Sequence, residues 1–208
     1  DYAAIFSSDY QRALHFVDDE KWMADSIRRC GFAPREVIAV VFPELIRYSA
    51  LRDRVETFAL ESLYAQWGRA YANFSVGAFQ LKPSFAEAIE TDFLKLPDAK
   101  KRCGHHSLTP ADTGQSPENR QRRLRRLKEK SGMLLYVCHF FAVMEARYPK
   151  WNSEEERIKF MAAAYNSGYR LPRPVIESFV TRRFFHAGLL DTDRYAYADI
   201  AWYYYRQP

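Results

Sequence analysis

A carboxyl, an amide and a phenol stand in this chain at places where helical periodicity gives way. Glu44 continues the stripe Val37, Val40, Val41, Glu44 and Tyr48, so a carboxyl falls in line with apolar side chains. Pro43, just before it, has no backbone N–H and kinks a helix or ends it locally. A carboxyl held against apolar neighbours has its charged form disfavoured, which is what a general acid needs at neutral pH. The plain structural alternative is a partly buried glutamate paired with Arg47 or Arg52. In "FMAAAYNSGY", residues 160–169, small side chains allow tight helix packing until Tyr165, Asn166, Ser167 and Gly168 break the run. That break leaves a phenol and an amide at a helix end. In "YANFSVGAFQLKPSF", residues 71–85, Ser75, Gly77 and Gln80 crowd together in a run that fits neither helical nor strand periodicity.

The elements that must hold these residues read mostly as helices. Residues 8–29 form one, with Ser8 or Asp9 as N-cap and Cys30-Gly31 as its end. Residues 34–50 open with Pro34 in the tolerated first turn. Residues 52–70 place Glu56, Leu60, Leu63, Tyr64 and Trp67 on one stripe, and 83–95 are helical again. Residues 97–119, rich in Pro, Gly, Ser and Asp, read as a long polar loop of the kind that serves as a lid or is partly disordered. A long helix over 119–148 follows, then one over 153–166 with Ser153 and Glu156 matching a capping box. The aromatic tail ends in a helix. Strand character shows only near 71–81, so the expectation is a mostly α fold in one domain spanning 1–208.

Composition sets the outer bounds. The 208 residues are 48% hydrophobic and 27% charged, a globular mixture well outside the disordered class. No apolar run reaches the length of about 20 residues that crosses a bilayer, so no transmembrane segment is expected. The net charge of +5 suits an anionic partner without selecting one. Cys30, Cys103 and Cys138 are too few and too widely spaced for a disulfide framework, although one pair can form. "CGHH", with Cys103, His105 and His106, lacks a second ligand pair at zinc-site spacing, so no metal is assigned. The basic run "RQRRLRRLKEK", residues 120–130, comes without a recognition motif and reads as a solvated helix face, so no nucleic-acid partner is assigned.

Taken together, the three stretches resemble the lytic transglycosylase (SLT) family of the lysozyme-like superfamily. "SVGAFQLKPSFA" is similar to its Gly-Leu-Met-Gln-(Leu/Ile)-Met-Pro motif, "MAAAYNSG" to its Leu-Ala-Ala-Tyr-Asn-Ala-Gly, and "VIAVVFPELIRYS" to the helix that ends in its catalytic glutamate. The order matches, and the resemblance spans residues 36–170. It implies a goose-type lysozyme/SLT-like fold with little or no β structure, acting on the glycan strands of peptidoglycan in the periplasm or cell envelope. A cell-envelope protein partner is compatible with it, and no cofactor is implied. In such a site Glu44 protonates the glycosidic oxygen and then serves as base, and the muramyl 6-hydroxyl closes a 1,6-anhydro end. Gly77 lets the backbone approach a sugar. Ser75 and Gln80 offer hydrogen bonds, Phe79 stands where the family has methionine as an apolar wall, and Tyr165 and Asn166 face the same cleft.

Two departures keep alternatives open. Leu45 follows Glu44 where the family has serine, and Glu44 lies 36 residues before Gln80. The pair Glu61-Ser62 lies 19 residues before Gln80 and is the alternative acid, with Glu56 a third as a buried helper. Glu44 is preferred because Glu61 sits at the flank of its stripe. A domain that binds glycan or a secretion-system partner without turnover, and a muramidase that uses water, are the rival functions.

Overall fold

The computed structural model of the chain describes residues 1–51, 58–97, 103, 108–187 and 192–207. The helices, in chain order, are α1 (Tyr2–Asp19), α2 (Trp22–Arg29), α3 (Pro34–Leu51), α4 (Phe58–Trp67), α5 (Pro83–Leu94), α6 (Pro117–Lys128), α7 (Lys130–Arg147), α8 (Glu154–Ser167), α9 (Arg173–Val180) and α10 (Tyr197–Arg206). A short 3-10 helix covers Pro110–Thr113, and β1 (Arg183–Phe185) pairs antiparallel with β2 (Tyr195–Ala196). The fold is mostly α, as the periodicity predicts. Among the described residues no helix is long and apolar enough to cross a membrane.

The chain divides into two compact units. One comprises Asp1–Arg28, Phe32–Asp53 and Tyr148–Pro208; the other comprises Arg29–Gly31 and Arg54–Arg147.

In the first unit α3 packs against α1, α8 and α10. Its apolar run from Val37 to Phe42 is buried on all sides, which is why it reads as a continuous stretch and not as a stripe. Phe42 stacks on Tyr204 with ring centres 4.0 Å apart, and Tyr10 meets Phe42 edge-on at 5.0 Å. Arg35 donates from Nε to the Tyr205 carbonyl at 3.0 Å and from Nη2 to the Tyr204 carbonyl at 2.8 Å. It thereby gives the Tyr205 carbonyl a donor at the end of α10, and adds a second donor to the Tyr204 carbonyl, which also accepts from the Gln207 N–H. Arg157 of α8 grips Glu36 of α3 through two bonds of 2.9 and 2.6 Å.

In the second unit α4 packs on α6, and α5 and α6 both pack on α7. Buried charge organises its centre. Arg123 donates from Nε to both oxygens of Glu90 at 2.9 Å and from Nη2 to Oε2 at 2.5 Å. Its Nη1 donates to the Tyr64 hydroxyl at 2.7 Å, and that hydroxyl donates to Glu87 at 2.8 Å. Tyr136 completes the set by donating to Glu90 at 2.6 Å.

Several boundaries differ from the periodicity. The helix expected over 8–29 is two, α1 and α2, and α1 starts earlier and bends at Ser7, where φ is +42°. The helix expected over 119–148 is also two, because Glu129 is extended (φ −82°, ψ 130°) between α6 and α7. A close approach holds that corner: a Cβ on Gly132 would meet the Arg126 carbonyl oxygen at 2.2 Å. The polar loop over 97–119 contains the 3-10 turn and the start of α6, and Asp112 bonds back to both the N–H and the hydroxyl of Thr109. The capping box at α8 is shifted by one residue. Ser153 accepts from the Glu156 N–H, whereas the Glu156 carboxylate accepts from the Asn152 N–H. Glu56, Arg52, His105 and His106 lie outside the described residues.

Candidate functional site

The first unit gathers Glu44, Arg47, Tyr165, Asn166 and Tyr197. Glu44 is 5% exposed, in the turn of α3 just after Pro43. Pro43 cannot donate to the carbonyl four residues back, so the helix is short of a donor here. The Tyr197 hydroxyl, reaching from α10, donates to the neighbouring Val40 carbonyl at 3.1 Å. The Glu44 carboxylate also acts electrostatically on this phenol. Burial first, and then the Glu44 charge, hold the Tyr197 phenol well above its ordinary range; Arg47 acts the other way.

Tyr165 joins the cluster from the end of α8. Burial first, and then the Glu44 charge, raise its phenol well above the ordinary value. A glutamate and a tyrosine 121 residues apart in sequence are thus electrostatic neighbours. The small residues Ala162, Ala163 and Ala164, all buried, let α8 sit close enough for this. Asn166 follows at the helix end, half-buried, and its Nδ2 is sealed from water without a hydrogen-bond partner among the described residues. Such a donor is costly to leave unmade in a core.

Arg47 supplies the counter-charge. Its Nη1 lies 2.8 Å from Glu44 Oε2, three residues on along α3, and its guanidinium covers the Phe185 ring at 4.7 Å. The plain pairing allowed by the sequence is therefore present, with Arg47 as the partner. As a set, the residues offer one buried carboxylate, one cation, two protonated phenols and one amide donor.

Ser75, Gly77, Phe79 and Gln80 belong to the second unit. Val76 and Leu81 exchange backbone bonds of 2.9 and 3.1 Å, closing a tight loop over the residues between them. Gly77 (φ +67°) and Gln80 (φ +50°) both take left-handed backbone conformations in it. The Gln80 side chain bonds its own loop, Nε2 donating to the Gly77 carbonyl at 2.8 Å. Phe79 is buried and Ser75 half-buried. A Cβ on Gly77 would lie 2.3 Å from Met133 Sδ, so this glycine is required by close packing against α7 as well as by its φ.

Glu61, the alternative acid, lies in α4 and forms an ion pair with Lys128 at 2.9 Å. It lines a surface cavity of about 560 Å³ together with Ser62, Gln66, Gln121 and Arg125. No family model, no curated protein and no solved structure matches this chain. What the residues can do rests on their own geometry.

That geometry also accounts for much of the basic run at 120–130. Arg120 donates to the carbonyls of Ala65, Gln66 and Gln115, Arg123 holds Glu90, Arg126 holds Asp112 at 2.6 Å, and Lys128 holds Glu61. Tyr197 and the Arg123 network escaped the sequence reading. Tyr197 looks like one more aromatic in a tail of aromatics, and Arg123 like one cation among many. The one available signal was Glu87 and Glu90, three apart in the apolar run of "FAEAIE".

Proposed function

We propose that this chain is a peptidoglycan lytic transglycosylase of lysozyme-like fold, with Glu44 as its general acid and base. The observation that carries the reading is the meeting of a buried glutamate with the tyrosine of a Tyr-Asn helix end far along the chain. In this reading the Glu44 carboxyl gives its proton to the glycosidic oxygen between N-acetylmuramic acid and N-acetylglucosamine. The substrate's own N-acetyl group supports the anomeric centre, so a second carboxylate is not needed. Glu44 then takes the proton of the muramyl 6-hydroxyl as that oxygen closes the 1,6-anhydro ring. Tyr165 and Tyr197 remain protonated throughout and orient the carboxyl, while the Asn166 amide offers a donor to a sugar oxygen. Arg47 must release Glu44 before it can carry a proton. A cell-envelope location follows from this substrate.

The Glu44–Arg47 contact favours a second reading, in which the carboxylate is an anchor and the chain binds glycan or an envelope partner without turnover. Digestion of purified sacculi by wild type, Glu44→Gln and Glu61→Gln, with mass spectrometry of the soluble products, separates the two. Anhydro-muropeptides from wild type and Glu61→Gln, but none from Glu44→Gln, are expected. Products with reducing ends identify a hydrolytic muramidase instead. Binding to sacculi with no release by any form replaces the enzymatic reading with the scaffold.

A further inference from the structure

Three cysteines far apart in sequence bring their sulfurs within 4.8 Å of one another: Cys30, Cys103 and Cys138. All belong to the second unit, whereas the residues assigned to acid–base chemistry belong to the first. Cys30 and Cys103 form a disulfide, and Cys138, from the apolar middle of α7, is the free thiol beside it. All three are less than a tenth exposed. The spacing of the three in sequence gives no hint of this, and the Cys-His-His run around Cys103 points to other partners.

We propose that, with the disulfide reduced, Cys30, Cys103 and Cys138 bind one soft, low-coordinate metal ion of the Cu(I) class, so that the disulfide closes the site and reduction opens it. An ion about 2.3 Å from each of three sulfurs in one plane sets those sulfurs about 4 Å apart. That lies inside the 4.8 Å span of the cluster. The bonded pair has to part by only about 2 Å, within reach of side-chain rotation. Thiolate donors select soft ions, and zinc seeks a fourth ligand. Among the described residues no other His, Cys or carboxylate joins the cluster, which favours an ion content with three sulfurs.

The step balances in two parts. A low-molecular-weight thiol reductant gives two electrons and two protons to the Cys30–Cys103 bond and becomes a disulfide itself. The ion then replaces three thiol protons, which leave to solvent.

The test uses the full chain, reduced under anaerobic conditions and titrated with Cu(I) held by a chromophoric competing chelator. Reduced wild type should withdraw one Cu(I) per chain and show a near-ultraviolet thiolate-to-copper band, and the disulfide form should withdraw none. Cys138→Ala, shown by circular dichroism to keep its helices, should bind at least about 100-fold more weakly. X-ray absorption of copper-loaded wild type needs no variant and should report three sulfurs at about 2.3 Å. Fewer than three sulfurs, equal affinity in Cys138→Ala, or equal uptake by the disulfide form would overturn the assignment.

Discussion

The Tyr197 hydroxyl donates to the Val40 carbonyl across 3.1 Å, joining α10 to α3 in the turn that precedes Pro43 and Glu44. A proline inside a helix removes one backbone donor, and here a side chain from the far end of the chain restores one nearby. The Glu44 charge acts on the same phenol, so the kink and the carboxyl meet at one side chain. Tyr197→Phe should keep the packing and lose the bond to the Val40 carbonyl. The expected cost is about 0.5–1.5 kcal/mol, the net worth of one such bond. Urea unfolding measures it, and an unchanged midpoint would show that the phenol supports nothing.

Arg123 makes a second prediction. It is 1% exposed and the Glu90 it holds is fully buried. Burial raises the Glu90 carboxyl, while the Arg123 hydrogen bond and charge oppose that rise. Arg123→Met should destabilise the chain by about 3–5 kcal/mol, since it strands a buried carboxylate. Adding Glu90→Leu should recover most of that loss, because the buried charge goes too. Arg125→Ala, at an exposed position on the same helix, should stay within about 0.5 kcal/mol of wild type. Equal losses for Arg123→Met and Arg125→Ala would refute the network as a stabilising element.

The helices that carry Glu44 and Tyr165 were legible in the sequence because their signals are local. Pro34 opens α3, Ser153 caps α8, and Gly168 ends α8. The meeting of Glu44 with Tyr165 is not given by the period of either helix. What stayed illegible is long-range pairing among like residues. Nothing near position 197 distinguishes that tyrosine from its neighbours at 195, 203, 204 and 205; only the approach of α10 to the Pro43 turn does. The same holds for the sulfur cluster, assembled from positions 30, 103 and 138. Gly77 shows the opposite failing. Its motif invites a ligand explanation, and a packing explanation in Met133 was out of sight.

His139 gives a pH dependence whose sign is fixed by burial. It is fully buried on α7, 3.8 Å between ring centres from Phe93, with no partner for either nitrogen among the described residues. Burial, helped by the Arg126 charge, lowers its pKa to about 3. In the unfolded chain the ring takes a proton near its ordinary value, about 6.5. Between those values the unfolded state holds more protons, so stability rises with pH and falls on acidification. The loss should be on the order of 4 kcal/mol from neutral pH down to about pH 3. His139→Leu should flatten that acid limb in urea unfolding followed across pH. A limb of unchanged slope would place the proton uptake on other groups.

Gly77 separates packing from ligand contact in the loop before α5. Its φ of +67° is strained for any side chain, and a Cβ there would press on Met133 Sδ at 2.3 Å, on Cε at 3.0 Å and on the Leu127 carbonyl at 3.1 Å. Gly77→Ala should therefore destabilise the fold by about 1–3 kcal/mol with no ligand present. Met133→Ala in the same chain should return part of that loss, since it removes the sulfur the new methyl meets, although it opens a cavity of its own. The double-mutant cycle isolates the contact: a coupling of about 0.5 kcal/mol or more is expected for touching residues. If the two substitutions simply add, Met133 plays no part in fixing the loop, and the glycine is required by its backbone angle and the Leu127 carbonyl.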